Sequence, residues 1–126
     1  MADQTKVLIV EDDKFLSELI STKLDKEGFN IALAGDGETG LKKAEEFKPE
    51  IILLDIMLPG MDGFEVLEKL KAHADASIKK IPVIILSNFG QESKVERGLQ
   101  LGAVDYLVKA NFTTGEIVAK IKEILK

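Results

Sequence analysis

The sequence predicts a three-layer α/β fold, a doubly wound five-stranded parallel sheet with helices on both faces. Three observations predict it. Five strand-like runs alternate with five helical patterns, the connections between them are short, and three of the runs are continuous and apolar, as strands are when helices cover both sides.

The first run, Val7-Leu8-Ile9-Val10, ends at the acids Glu11-Asp12-Asp13. In the helix that follows, Leu16, Ile20 and Leu24 recur every four residues with Leu19 beside them, and Gly28 is placed to stop it. Around Phe29, Ile31 and Leu33 the apolar residues alternate with Asn30, Ala32 and Ala34, the pattern of an edge strand. A second helix carries Leu41, Ala44 and Phe47 before Pro49. The third run, Ile51 to Leu54, stops at Asp55 and opens into Met57-Leu58-Pro59-Gly60-Met61-Asp62-Gly63, where Asp62 is suited to cap the third helix with its Phe64, Leu67 and Leu70. The fourth run, Val83 to Leu86, ends at Ser87, and a fourth helix places Val95 and Leu99 before Gly102. The last strand, Val104 to Val108, mixes Asp105 and Tyr106 among aliphatics, reads as the other edge and ends at Lys109. A capping box, Thr113 to Glu116, starts the fifth helix, which buries Ile117, Ile121 and Ile124 and runs to Lys126. Right-handed crossovers then give the strand order 2-1-3-4-5, with the first and third strands side by side. Residues 1–126 read as a single domain, with no linker and no room for an output domain.

Composition narrows the function. A net charge of -5 with no Lys/Arg-rich stripe argues against direct nucleic-acid binding. The chain has no cysteine and one histidine, so disulfides and thiolate metal sites are excluded and a structural zinc site is disfavoured. A reducing cytoplasm is the natural compartment. No apolar run approaches the ~20 residues that span a bilayer, and no membrane association is expected.

Chemistry gathers at the strand ends. With the first and third strands about 4.8 Å apart, Glu11, Asp12 and Asp55 meet in one crevice at the carboxyl edge of the sheet. Three acids so close repel unless a cation joins them, and a small all-oxygen set with room for water suits magnesium. Ser87 and Lys109 arrive at the same edge. Acids, cation, ammonium and hydroxyl together make a phosphoryl-binding inventory, in which a carboxylate can attack phosphorus. Single residues have plainer readings: Asp12 or Asp13 as helix caps, Tyr106 as a cover on an edge strand with its hydroxyl in water. His73, the only histidine, reads as a solvated helix end.

The segments IVEDD, LLDIMLPGMDG, ILS and GAVDYLVK together resemble the receiver domain of two-component response regulators, over nearly the entire chain. The resemblance implies a CheY-like, flavodoxin-like fold and a signalling domain rather than a turnover enzyme. It implies that Asp55 accepts a phosphoryl group from the phosphohistidine of a sensor histidine kinase or a histidine phosphotransfer protein. Asp12, Asp55 and the backbone carbonyl of Met57 would ligate Mg2+, with Glu11 acting mostly through water. Lys109 and Ser87 would bind phosphoryl oxygens, and Tyr106 would turn inward as Ser87 moves, reshaping the surface of the fourth helix, fifth strand and fifth helix. The resemblance also implies a downstream target that is a protein. The family allows a monomer or a phosphorylation-dependent dimer through the fourth-helix face.

Two departures from the family carry expectations. Most receivers follow the lysine with a cis proline, whereas Lys109 precedes Ala110 here; a cis bond at a non-proline residue costs ~2.5–4 kcal/mol, so a trans bond is expected. Met57 and Phe89, which flank the attack path, are both apolar, so neither can orient water and the acyl phosphate should live longer. Rival readings are an aspartate-nucleophile, magnesium-dependent phosphatase, a flavin-binding domain of similar sheet order, and an interaction module that is never phosphorylated. The first wants a general acid where Met57 stands, and the second wants glycines where Glu11-Asp12-Asp13 stand.

Overall fold

A computed structural model describes residues 5–126. Its elements are, in order, β1 (Lys6–Val10), α1 (Lys14–Lys26), β2 (Asn30–Ala34), α2 (Gly37–Phe47), β3 (Ile51–Leu54), α3 (Gly63–Lys71), α4 (Ala76–Lys79), β4 (Val83–Ser87), α5 (Glu92–Gln100), β5 (Asp105–Val108), a 3-10 turn (Lys109–Asn111) and α6 (Thr114–Leu125). The sheet is parallel throughout with the order β2-β1-β3-β4-β5, as the sequence predicts.

Alternation along the strands divides the core in two. Leu8, Val10, Ile52, Leu54, Val83 and Ile85 point to one face, where α2, α3 and α4 add Ala44, Phe64, Leu67, Leu70 and Ile78. Val7, Ile9, Ile51, Leu53, Ile84 and Leu86 point to the other, against Ile20 and Leu24 of α1 and Ile117, Val118 and Ile121 of α6. Both sides of the central strands are thus out of water, which is why those runs are unbroken in the sequence.

Helix ends are set by local chemistry. Asp13, Asp36, Asp62 and Thr113 each accept a backbone N–H one turn on, and Asp62 and Thr113 complete capping boxes with Glu65 and Glu116. Past α1, Gly28 takes φ 91°, a left-handed conformation cheap only for glycine.

Four expectations need correction. There are six helices rather than five, because the one-turn α4 is too short to show a period. Leu19 and Leu99, both included in the helical patterns, are 44% and 46% exposed and lie off the buried faces of their helices. Ser17 is buried on α1 and Gly98 on α5. At Gly98 the backbone lies so close to the sheet that an added Cβ would stand 2.5 Å from Ile85 Cδ1. His73 is not a solvated helix end, since both of its ring nitrogens are bonded. Among the described residues no helix is long and apolar enough to cross a membrane.

Candidate functional site

Sheet register builds the site. Val10 pairs with Leu54, and the ladder runs one step beyond the strands: Glu11 N–H donates to Ala34 O and Asp55 N–H to Val10 O, both at 2.9 Å. Glu11 and Asp55 are thereby fixed side by side. On the far side Ser87 pairs with Val108, so Lys109 follows at the same edge. The Lys109-Ala110 bond is trans, as expected, and enters the 3-10 turn.

Asp55 is 3% exposed, and its Oδ2 lies 3.2 Å from Lys109 Nζ. The same ammonium is 2.9 Å from Glu11 Oε1. Asp55 Oδ1 accepts the Met57 N–H at 3.3 Å and Glu11 Oε2 the Asp13 N–H at 3.1 Å, so the acids are oriented by backbone as well as by lysine. Asp12 is exposed beside them, and carboxylate oxygens of Glu11, Asp12 and Asp55 all lie within 4.8 Å of one another. Oxygens bound to a common hard cation at about 2.0–2.6 Å fall within that spread, so the donor set fits a magnesium-like ion.

The electrostatics agree. Burial pushes the Glu11 carboxyl up to about 7, with the neighbouring Asp55 adding to the rise, while Lys109 and the Asp13 N–H pull it only part of the way back. Burial works against the Lys109 ammonium, yet Glu11 and Asp55 more than offset it and raise its pKa. Negative charge exceeds what one lysine balances. The site is built to receive positive charge.

Ser87 is fully buried, and its Oγ accepts the Phe89 N–H at 3.0 Å. Tyr106 is 9% exposed, and its hydroxyl donates to Phe89 O at 2.6 Å. The reading of Tyr106 as an edge cover with its hydroxyl in water is therefore wrong. Its ring already points inward, without any movement of Ser87. Phe89 is half-buried with Lys94 Nζ 5.2 Å from its ring centroid, while the Met57 side chain is 56% exposed.

Two contacts escape the sequence. Phe89 joins Ser87 to Tyr106 through its backbone N–H and carbonyl, which no side-chain pattern reports. Gly63 abuts the loop after β3 so closely that an added Cβ would collide with Asp55 O and stand 2.7 Å from Ile56 Cα. The glycine opening a capped helix in MDGF is the only signal it leaves.

A family model described as the response regulator receiver domain matches residues 7–122. The alkaline phosphatase synthesis transcriptional regulatory protein PhoP of Bacillus subtilis is 38% identical over 96% of this chain, and the transcriptional regulatory protein CseB of Streptomyces coelicolor is 38% identical over 100% of it. The chain spans about half the length of these relatives, 48% and 51%. Among solved structures, a CheY-like receiver domain protein from Methanospirillum hungatei superposes with a TM-score of 0.88 at 28% identity, covering 98% of this chain and 94% of that one. The BeF3-activated N-terminal receiver domain of Klebsiella pneumoniae RstA gives 0.85 at 27% identity, covering 97% and 99%.

Proposed function

The chain belongs to the response regulator receiver domains of two-component signalling, and on that premise we propose that it acts as one receiver domain phosphorylated on Asp55. The observation that carries the proposal is the meeting of Asp55 with Lys109, Glu11 and Asp12 at one strand edge. An Asp55 carboxylate oxygen attacks the phosphorus of a phosphohistidine on a kinase or phosphotransfer protein. The P–O bond forms as the P–N bond breaks, and the donor imidazole leaves with the electron pair and takes up a proton. Asp12, Asp55 and the Met57 backbone carbonyl, with Glu11 acting through water, would hold Mg2+, which would supply positive charge to the phosphoryl oxygens. Lys109, already within 3.2 Å of Asp55, neutralises a further oxygen, and Ser87 donates its hydroxyl to another.

Output follows from what Ser87 gives up. Its Oγ now accepts the Phe89 N–H, so a shift toward the phosphoryl group disturbs the loop whose Phe89 carbonyl holds Tyr106. The surface of α5, β5 and α6 changes, and a protein partner reads it. The domain works in the cytoplasm as a signalling device, not a turnover enzyme, and makes no direct contact with nucleic acid.

Mass spectrometry after incubation with acetyl phosphate and magnesium tests this reading. The wild type gains about 80 Da, the mass of one phosphoryl group, and Asp55→Asn does not. An equal gain in both proteins overturns it.

A further inference from the structure

At the amino edge of the sheet, where α2 and α3 end, His73 ties two segments together through its imidazole. Nε2 lies 2.8 Å from Glu45 Oε2 on α2, and Nδ1 accepts the Asp75 N–H at 3.0 Å. The side chain is only 24% exposed. Asp75 is in turn the cap of α4: its Oδ1 accepts from Ser77 N at 2.9 Å and Ser77 Oγ at 2.7 Å, and its Oδ2 lies 3.5 Å from Lys48 Nζ. The Ser77 hydrogen bonds hold the Asp75 carboxyl below its ordinary pKa, so it stays an acceptor. Behind this cap Ile78, 1% exposed, enters the core together with Ile81.

The two ring contacts assign the tautomer. Nδ1 receives an N–H and so carries no hydrogen, and Nε2 faces a carboxylate and so carries one. We propose that His73 is a proton-operated latch: a proton taken up at Nδ1 sets its N–H against the Asp75 N–H, breaks that bond and loosens the start of α4. The Nε2–H bond to Glu45 persists as an ion pair. The charged groups in contact with the latch are Glu45 of α2, which meets the ring, Asp75 of the α4 cap, and Lys48 just past α2, which pairs with Asp75, while Lys71 of α3 is occupied with the backbone carbonyls of Lys79 and Ile81. Asp75 is the acceptor the new Nδ1–H can reach, in competition with Lys48. Histidine is the side chain whose ordinary charge change falls between pH 5 and 8. Lying at the edge opposite Glu11, Asp12 and Asp55, the latch stands whether or not Asp55 is phosphorylated.

Long-range 1H–15N NMR of the imidazole at pH 8 should show hydrogen on Nε2 alone. Amide protection factors for residues 75–79 should fall about three- to tenfold from pH 8 to pH 5, the loss of one net hydrogen bond. His73→Gln can keep both contacts without titrating, and its protection factors should not change with pH. Hydrogen on Nδ1 at pH 8, pH-independent protection in the wild type, or the same fall in His73→Gln would each overturn the latch.

Discussion

Lys109 holds two carboxylates at once, yet Glu11 still titrates at about 7 against an ordinary 4.5. A carboxyl whose pKa is raised by folding contributes stability that is fully present below its unfolded pKa and is lost as pH rises through the folded value. In chelator, the wild type should therefore lose stability between pH 4.5 and 7, on the order of 3 kcal/mol at 1.36 kcal/mol per unit. Glu11→Gln should flatten this slope and be the more stable protein at pH 8 in urea unfolding; equal slopes would refute the account. Met57 and Phe89 offer no group to orient attacking water. Replacing them together by Asn and Glu should speed loss of label from radiolabelled phosphoprotein at least about tenfold, and an unchanged rate would sink that idea. Asp55, Ser87 and Lys109 were legible because each directly follows or closes an apolar run. The sharing of Lys109 with Glu11 was not, since it depends on where a long side chain settles. Phe89 was legible only as an apolar ring, because its other contacts are made by backbone atoms.

At the scale of elements, α3 meets the loop carrying Asp55 through the bare backbone of Gly63. A methyl group there has no flexible side chain to displace. Gly63→Ala should cost about 1–3 kcal/mol of stability through overpacking and slow phosphoryl acceptance, followed by thermal unfolding and a mass-spectrometric time course; wild-type behaviour in both would count against the close approach. Strands and caps were readable because unbroken apolar runs and Asp or Thr before a helix are local signals. The seat of α5 was not. Its period points to Val95 and Leu99, yet the backbone approaches at Gly98, and Arg97 lies 4.3 Å over the ring of Phe64. Glycine carries no hydrophobic signal, so a helix seated on one misleads any count of apolar faces.

For the whole molecule, the strand order was legible because burial on both faces identified the three central strands and handedness did the rest. Charge is distributed less evenly than the total of -5 suggests, for three acids crowd one edge. A divalent ion bound only by the native site stabilises by RT ln(1 + [L]/Kd), about 2.7 kcal/mol at a hundredfold excess over Kd. Magnesium should therefore raise the melting temperature of the wild type and leave Asp12→Ala nearly unmoved; equal shifts would place the ion elsewhere. The pairing of Val10 with Leu54 and of Ser87 with Val108 has a consequence in time. Asp55 leaves the ribosome well before Lys109, and the strands that align them are distant in sequence, so long-range pairing must finish first. A nascent chain that has just exposed Asp55 already carries Glu11 and Asp12 but still lacks Ser87 and Lys109. On the function proposed above, it should not accept a phosphoryl group until the last strand docks.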